Sequence, residues 1–122
     1  MRFAIVVLVA AGLSGCVAMK PEEIRSQPAE VYQSGASVDE IVRCMRTTGA
    51  DYVQVTPYPG SGAADFEVPT YQMLSMRILY MATAEPAESG SRVSARFSGQ
   101  NSLSLSEGEF RELLAGCAPP LS

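Results

Sequence analysis

Leu74-Ser75-Met76-Arg77-Ile78-Leu79-Tyr80-Met81-Ala82-Thr83, followed after a turn by Arg92-Val93-Ser94-Ala95-Arg96-Phe97-Ser98, is the stretch that decides the fold. In the first segment Leu74, Met76, Ile78, Tyr80 and Ala82 fall on one side of an extended chain, with Ser75, Arg77, Leu79, Met81 and Thr83 on the other. The second places Val93, Ala95 and Phe97 opposite Arg92, Ser94, Arg96 and Ser98. A period of two is the signature of a half-buried strand. Pairing Ala84 with Ser91 across Glu85–Gly90 sets Ala82 against Val93, Tyr80 against Ala95 and Ile78 against Phe97, so the two apolar faces coincide. The pair is predicted to be an antiparallel hairpin. Its other side is not fully polar, because Leu79 and Met81 lie there.

Moving outward toward the N-terminus, Phe66 to Tyr71 reads as a further strand, which Pro69 confines to an edge or a bulge. Asp51 to Thr56 alternates with Val53 and Val55 on one side, and Pro57-Tyr58-Pro59-Gly60-Ser61-Gly62 is strongly loop-like. Helices flank the strands. Ser37 with Glu40 three places on forms a capping box, Val38, Ile41, Val42 and Met45 follow at helical spacing, and Gly49 closes the segment. Ser106 with Glu109 repeats the pattern before Phe110, Leu113, Leu114 and Cys117, with Gly116 and Pro119-Pro120 as stop signals. The expectation is a single α+β domain over residues 37–122: a small antiparallel sheet of three or four strands with two helices packed on one face. A meander fits the order best, and the order alone also allows a half-open barrel.

The start of the chain has a different character. Arg2 precedes an apolar run from Phe3 to Leu13, too short to cross about 30 Å of hydrocarbon as a helix and suited to a signal segment. Leu13-Ser14-Gly15-Cys16 follows at once. Here the chain resembles bacterial lipoproteins, whose lipobox is a leucine, two small residues and a cysteine. The resemblance covers 16 residues and implies that residues 1–15 are removed. It implies too that Cys16 takes a diacylglyceryl group and that its new amine is acylated. An ordinary secretory signal cut near Ala10, Gly12 or Ala18 is the other reading. Val17, where enteric lipoproteins retained at the inner membrane carry Asp, points to the outer membrane. Residues 16–36, polar and broken by Pro21, Pro28 and Gly35, read as a lipidated N-terminus and flexible tether of about 25 Å end to end, with a helical turn from Glu22 to Arg25 or a segment from Pro28 to Ala36 lying along the domain as the alternatives left open.

The chain has 122 residues, so removal of 15 leaves 107, enough for one domain. Loss of Arg2 from nine basic side chains leaves eight against thirteen acidic ones, a formal charge of −5. That sign, without a basic run, argues against nucleic acid as a partner. With Cys16 lipidated, Cys44 and Cys117 remain in a compartment that permits disulfides, and a bond between them is expected; buried free thiols or a reactive thiol are the competing readings.

Side chains for catalysis are scarce. There is no His, and Lys20 is the single Lys, so a serine nucleophile lacks its usual base. Five Ser-Gly pairs read as turn chemistry. The cysteines and acids have neither zinc nor calcium spacing, and Gly60-Ser61-Gly62 lacks the basic follower of a phosphate loop. No enzyme activity, metal or cofactor is therefore expected. The candidate site is a surface: Tyr52, Tyr71, Met73, Leu79 and Met81 projecting from the face opposite the helices, with Arg77, Arg92 and Arg96 beside them; the competing reading is that a second layer, from the 28–36 segment or the loop from Pro57 to Ala64, covers that face. The function expected is a non-catalytic, lipid-anchored envelope protein that binds another envelope protein or serves as an accessory subunit. The alternative is a small periplasmic inhibitor or immunity-type lipoprotein that blocks a secreted hydrolase or toxin through its acidic charge.

Overall fold

The computed structural model of the chain describes residues 19–49, 51–72 and 75–121. In chain order these form α1 (Pro21–Arg25), β1 (Glu30–Ser34), α2 (Val38–Thr48), β2 (Gln54–Tyr58), β3 (Ala63–Gln72), β4 (Ser75–Ala87), β5 (Gly90–Phe97) and α3 (Glu107–Cys117). The five strands make one antiparallel sheet in the order β1-β5-β4-β3-β2. The α+β class stands, but with five strands and three helices rather than three or four strands and two helices. Cys16 and the rest of the signal and lipobox lie outside the described residues, as does Met73.

Both larger helices start as their sequences specify. Ser37 Oγ accepts from the Glu40 amide at 3.2 Å while Glu40 accepts from the Ser37 amide at 2.9 Å, and Ser106 and Glu109 repeat the exchange at 3.1 and 2.9 Å. Each box satisfies two amides that the helix leaves unpaired, worth about 1 kcal/mol for the serine alone. Gly49 ends α2 for a steric reason: its backbone is right-handed, but a Cβ there would stand 2.6 Å from the Met45 carbonyl oxygen and 2.9 Å from Val53. Gly116 lies inside α3, which runs to Cys117 and stops before Pro119-Pro120.

α2 and α3 lie on one face of the sheet. Ile41, Met45, Phe110 and Leu114 pack there against Phe66, Tyr80, Ala82, Ala84 and Val93. Tyr80, Phe97 and Phe110 have ring centroids 5.5–6.2 Å apart, a spacing typical of packed aromatic clusters. Cys44 and Cys117 are joined across the two helices, with Sγ atoms 2.05 Å apart and Cα atoms 5.4 Å apart.

The hairpin forms in a different register from the one expected. Ala84 pairs with Val93, Ala82 with Ala95 and Tyr80 with Phe97, and the strands continue to Ala87 and Gly90, so the turn is only Glu88-Ser89. This is a slip of two residues. A two-residue slip keeps every side chain on its face, which is why the apolar pattern is equally satisfied by both pairings. Gly90 permits the tight closure: its φ is +140°, and a Cβ there would lie 2.1 Å from the Ser34 carbonyl oxygen.

A bulge overturns the strict alternation of β4. Val68 of β3 faces Tyr80, but the next residue, Pro69, faces Ile78, so Leu79 is the extra residue. From that point the phase inverts. Tyr80, Ala82 and Ala84 face the two large helices, whereas Ile78 joins Met81 in a separate buried cluster on the opposite face. Pro69 sits at the register shift and beyond the last β2 pairing at Glu67, so its missing N–H breaks no ladder there.

The stretch read as a tether is part of the fold from Met19 onward. Met19 and Ile78 exchange backbone hydrogen bonds of 3.1 and 2.6 Å. Pro21 opens α1, Glu22 and Glu23 occupy its first turn, and its fully buried Ile24 packs with Met19, Ile78 and Met81. β1 then pairs along β5 from Glu30↔Ala95 to Ser34↔Ser91. Its sequence, Glu-Val-Tyr-Gln-Ser, conceals a strand because one face, with Val31 and Gln33, is solvated, while Tyr32 and Ser34 face inward. Tyr32 Oη donates to the Ala118 carbonyl at 2.9 Å, and the Leu121 amide donates to the Gln33 carbonyl at 2.9 Å, so the C-terminal tail lies against β1.

Candidate functional site

Of the five residues expected to form a partner face, the structure brings two together. Tyr52, in the turn that follows α2, and Tyr71, near the end of β3, are 50% and 72% exposed and line one groove of about 370 Å³. Asp51, Val68 and Pro69 complete that side, and Ser102, Ser104 and Leu105 of the segment before α3 complete the other. The expected contributions of Leu79 and Met81 are corrected: both are buried. Leu79 is the bulge residue in the core beneath α2 and α3, and Met81 is covered by Ile24 and Met19. The second face of the sheet thus has its own cover over Ile78 and Met81, supplied by the segment that the sequence presented as a tether.

The three arginines expected beside those residues are also engaged. Arg96 Nε donates to the Gln27 carbonyl at 3.1 Å, Arg92 pairs with Glu85 at 3.2 Å, and Arg77 stands 4.0 Å from Glu23. Two of these contacts hold the chain around α1 on the sheet. A further clasp is made at Asp65, which is 2% exposed. One carboxylate oxygen accepts from Thr83 Oγ1 at 2.7 Å, and the other from Tyr58 Oη at 2.9 Å and Arg25 at 3.0 Å. Side chains from α1, β2 and β4 converge on this carboxylate.

That convergence shifts its neighbours. The Tyr58 hydroxyl is pushed up first by its hydrogen bond to Asp65. Glu67, two residues along the same strand and half-buried, is also pushed up, chiefly by loss of hydration and then by the Asp65 charge. A carboxylate raised in the folded state opposes folding once pH exceeds its unfolded value. Asp65 itself has three donors on two oxygens and is closed from solvent. This geometry suits a structural clasp rather than a base awaiting substrate.

The groove, by contrast, is open and held in shape from beneath. Tyr80, fully buried and expected only as a core residue, directs its hydroxyl into the 101–105 segment. There it donates to the Leu105 carbonyl at 2.8 Å and accepts from the Ser102 amide at 2.8 Å. Asn101 Oδ1 in turn accepts from the Glu107 amide at 2.7 Å, tying the same segment to the start of α3. Burial pushes the Tyr80 hydroxyl up from its ordinary value. Sequence reasoning assigned nothing to residues 100–105. Ser102 and Ser104, interleaved with Leu103 and Leu105, carry no helical or capped pattern, and their placement depends on a tyrosine more than 20 residues earlier.

Arg111 strengthens the opposite side of the domain. Its guanidinium stacks 4.0 Å above the Phe97 ring and pairs with both Glu30 and Glu107, linking α3 to β1 and β5. Those hydrogen bonds push its pKa further up.

Among the described residues no group of three or more His, Cys, Asp or Glu side chains is placed to hold a metal ion, and no helix is long and apolar enough to cross a membrane. No family model matches the chain, and no curated protein or solved structure shows significant similarity to it. The groove presents two exposed phenol rings beside a buried valine and a proline, rimmed by serines. Tyrosine is enriched at protein interfaces because it combines a large apolar ring with a polar end.

Proposed function

We propose that this chain is a non-catalytic lipoprotein of the bacterial outer membrane, anchored through Cys16, that binds another envelope protein through the groove between Tyr52 and Tyr71. The observation that carries the reading is that those two exposed tyrosines line one groove with Val68 and Pro69, its other wall being the 102–105 segment that Tyr80 braces. Two further features support it. The sequence lacks the His and lysine pairs that most nucleophilic chemistry uses, and Leu13-Ser14-Gly15-Cys16 follows a short apolar run. The anchor would concentrate the domain at one surface, so that modest affinity suffices for a partner held at the same surface.

Site-specific photocrosslinking in the native host tests this. A crosslinking side chain at position 52 or 71 is expected to capture the same envelope protein, while one at the exposed Glu88 is not. Equal capture from all three positions, or none from 52 and 71, would overturn the groove as a binding site. Capture of a secreted hydrolase or toxin would replace the accessory reading with the inhibitor one. In parallel, Cys16→Ser is expected to move the protein out of the membrane fraction.

A further inference from the structure

The anchor and the fold are separated by almost no chain. Cys16 is three residues from Met19, a reach of at most about 10 Å, and Met19 is already hydrogen-bonded to Ile78. It occupies the edge of β4 that β5 vacates: β5 pairs with β4 only as far as Tyr80↔Phe97, and the Ser98 amide bonds the Leu79 carbonyl, while β3 holds the other edge at Pro69↔Ile78. Ile78 is three residues from the start of β4, so this entry point is about 10 Å along the strand from the β3–β4 end. The β4–β5 turn at Glu88-Ser89 is ten residues the other way, about 33 Å distant.

Two exposed apolar side chains mark the near end. Tyr71 and Met76 are register partners on β3 and β4, 72% and 37% exposed. Tyrosine prefers the headgroup layer of a bilayer, where its ring is buried and its hydroxyl stays hydrated. The far turn instead exposes Glu88 and Ser89.

We propose that the lipid-anchored domain rests on the bilayer with the β3–β4 end against the headgroups, Tyr71 and Met76 in contact with lipid and the β4–β5 turn facing away. This rests on the lipidation of Cys16, and it deepens that reading: the groove beside Tyr71 then opens at the membrane surface, which selects partners embedded in or lying on the same bilayer. The short leash replaces the free swing of a long tether with a set orientation.

The chain contains no Trp, so one substitution gives a single reporter. Lipidated Met76→Trp and Glu88→Trp proteins, each confirmed by intact mass, are reconstituted in phosphatidylcholine vesicles containing lipid brominated near the headgroup. Emission from position 76 is expected to be quenched several-fold more than that from position 88. Equal quenching at both positions, or none at 76, in protein of the lipidated mass overturns the orientation and leaves the anchor standing. A mass without lipid overturns anchor and orientation together. Should Met76→Trp fail to form its disulfide, Tyr71→Trp reports from the facing position with the same expected result.

Discussion

A single hydroxyl governs the shape of the groove. Tyr80 reads as a core aromatic from its place in an alternating strand, and its ring fulfils that role against Phe97 and Phe110. Its oxygen does something the pattern does not encode, satisfying the Ser102 amide and the Leu105 carbonyl at once. Tyr80→Phe keeps the packing and leaves both backbone groups without that partner, at a cost of about 1–2 kcal/mol after allowing for partial access of water. Denaturant unfolding should show that loss, and amide exchange should quicken at Ser102 while Ile41 and Val42 retain their protection relative to global stability. Unchanged exchange at Ser102 would show that the segment is held by other contacts. Asp65 illustrates the same gap between type and role. An acid in Ala-Asp-Phe-Glu-Val resembles any outward strand residue, yet it is buried because Arg25, Tyr58 and Thr83 arrive from elsewhere.

At the scale of elements, what is local was legible. Both capping boxes and the apolar stripes of α2 and α3 rest on groups three or four residues apart, so the sequence displays every partner. The β3–β4 irregularity was legible from one side only: Pro69 allowed a bulge in its strand, but nothing in Met-Arg-Ile-Leu-Tyr-Met shows that the extra residue falls on β4. The choice is made by β3, where Pro69 falls at the shift. For α1, a helical turn from Glu22 to Arg25 was one of the readings the sequence left open, and nothing local could choose it, because five residues cannot hold a helix in water. Its stability comes from burying Ile24 on Ile78 and Met81 and from the Arg25–Asp65 contact. Ile24→Ala should therefore cost about 2–3 kcal/mol, at the lower end of core truncations because the small cluster can partly collapse. Trypsin is expected to cut after Arg25 faster than in the unaltered protein, while the 37–117 region keeps its resistance. Equal cleavage rates would mean that α1 stays docked without this side chain.

The whole molecule is closed by the Cys44–Cys117 link, which joins the end of α2 to the end of α3 across 73 residues of sequence. In the chain-entropy model a loop of that size contributes about 4 kcal/mol, a large part of the margin of a domain this small. Replacing both cysteines by alanine should lower the denaturant midpoint accordingly. A shift below about 1 kcal/mol would show that the reduced chain already restrains the same loop. The molecule also corrects the picture of a domain on a flexible lead: β1 closes the sheet on one edge and α1 covers part of its second face, so residues 19–36 belong to the fold.

The sequence by itself determined the α+β class, the caps and faces of the two main helices and the presence of the central hairpin. Each of these is fixed by residues two to four positions apart. Only the tertiary structure decided the hairpin register, the extra residue at Leu79, the strand in Glu30–Ser34, the cover over Ile78 and Met81, and the placing of Tyr52 and Tyr71 on one groove. These depend on contacts between residues tens of positions apart, and a side chain's own identity does not say which distant surface will reach it.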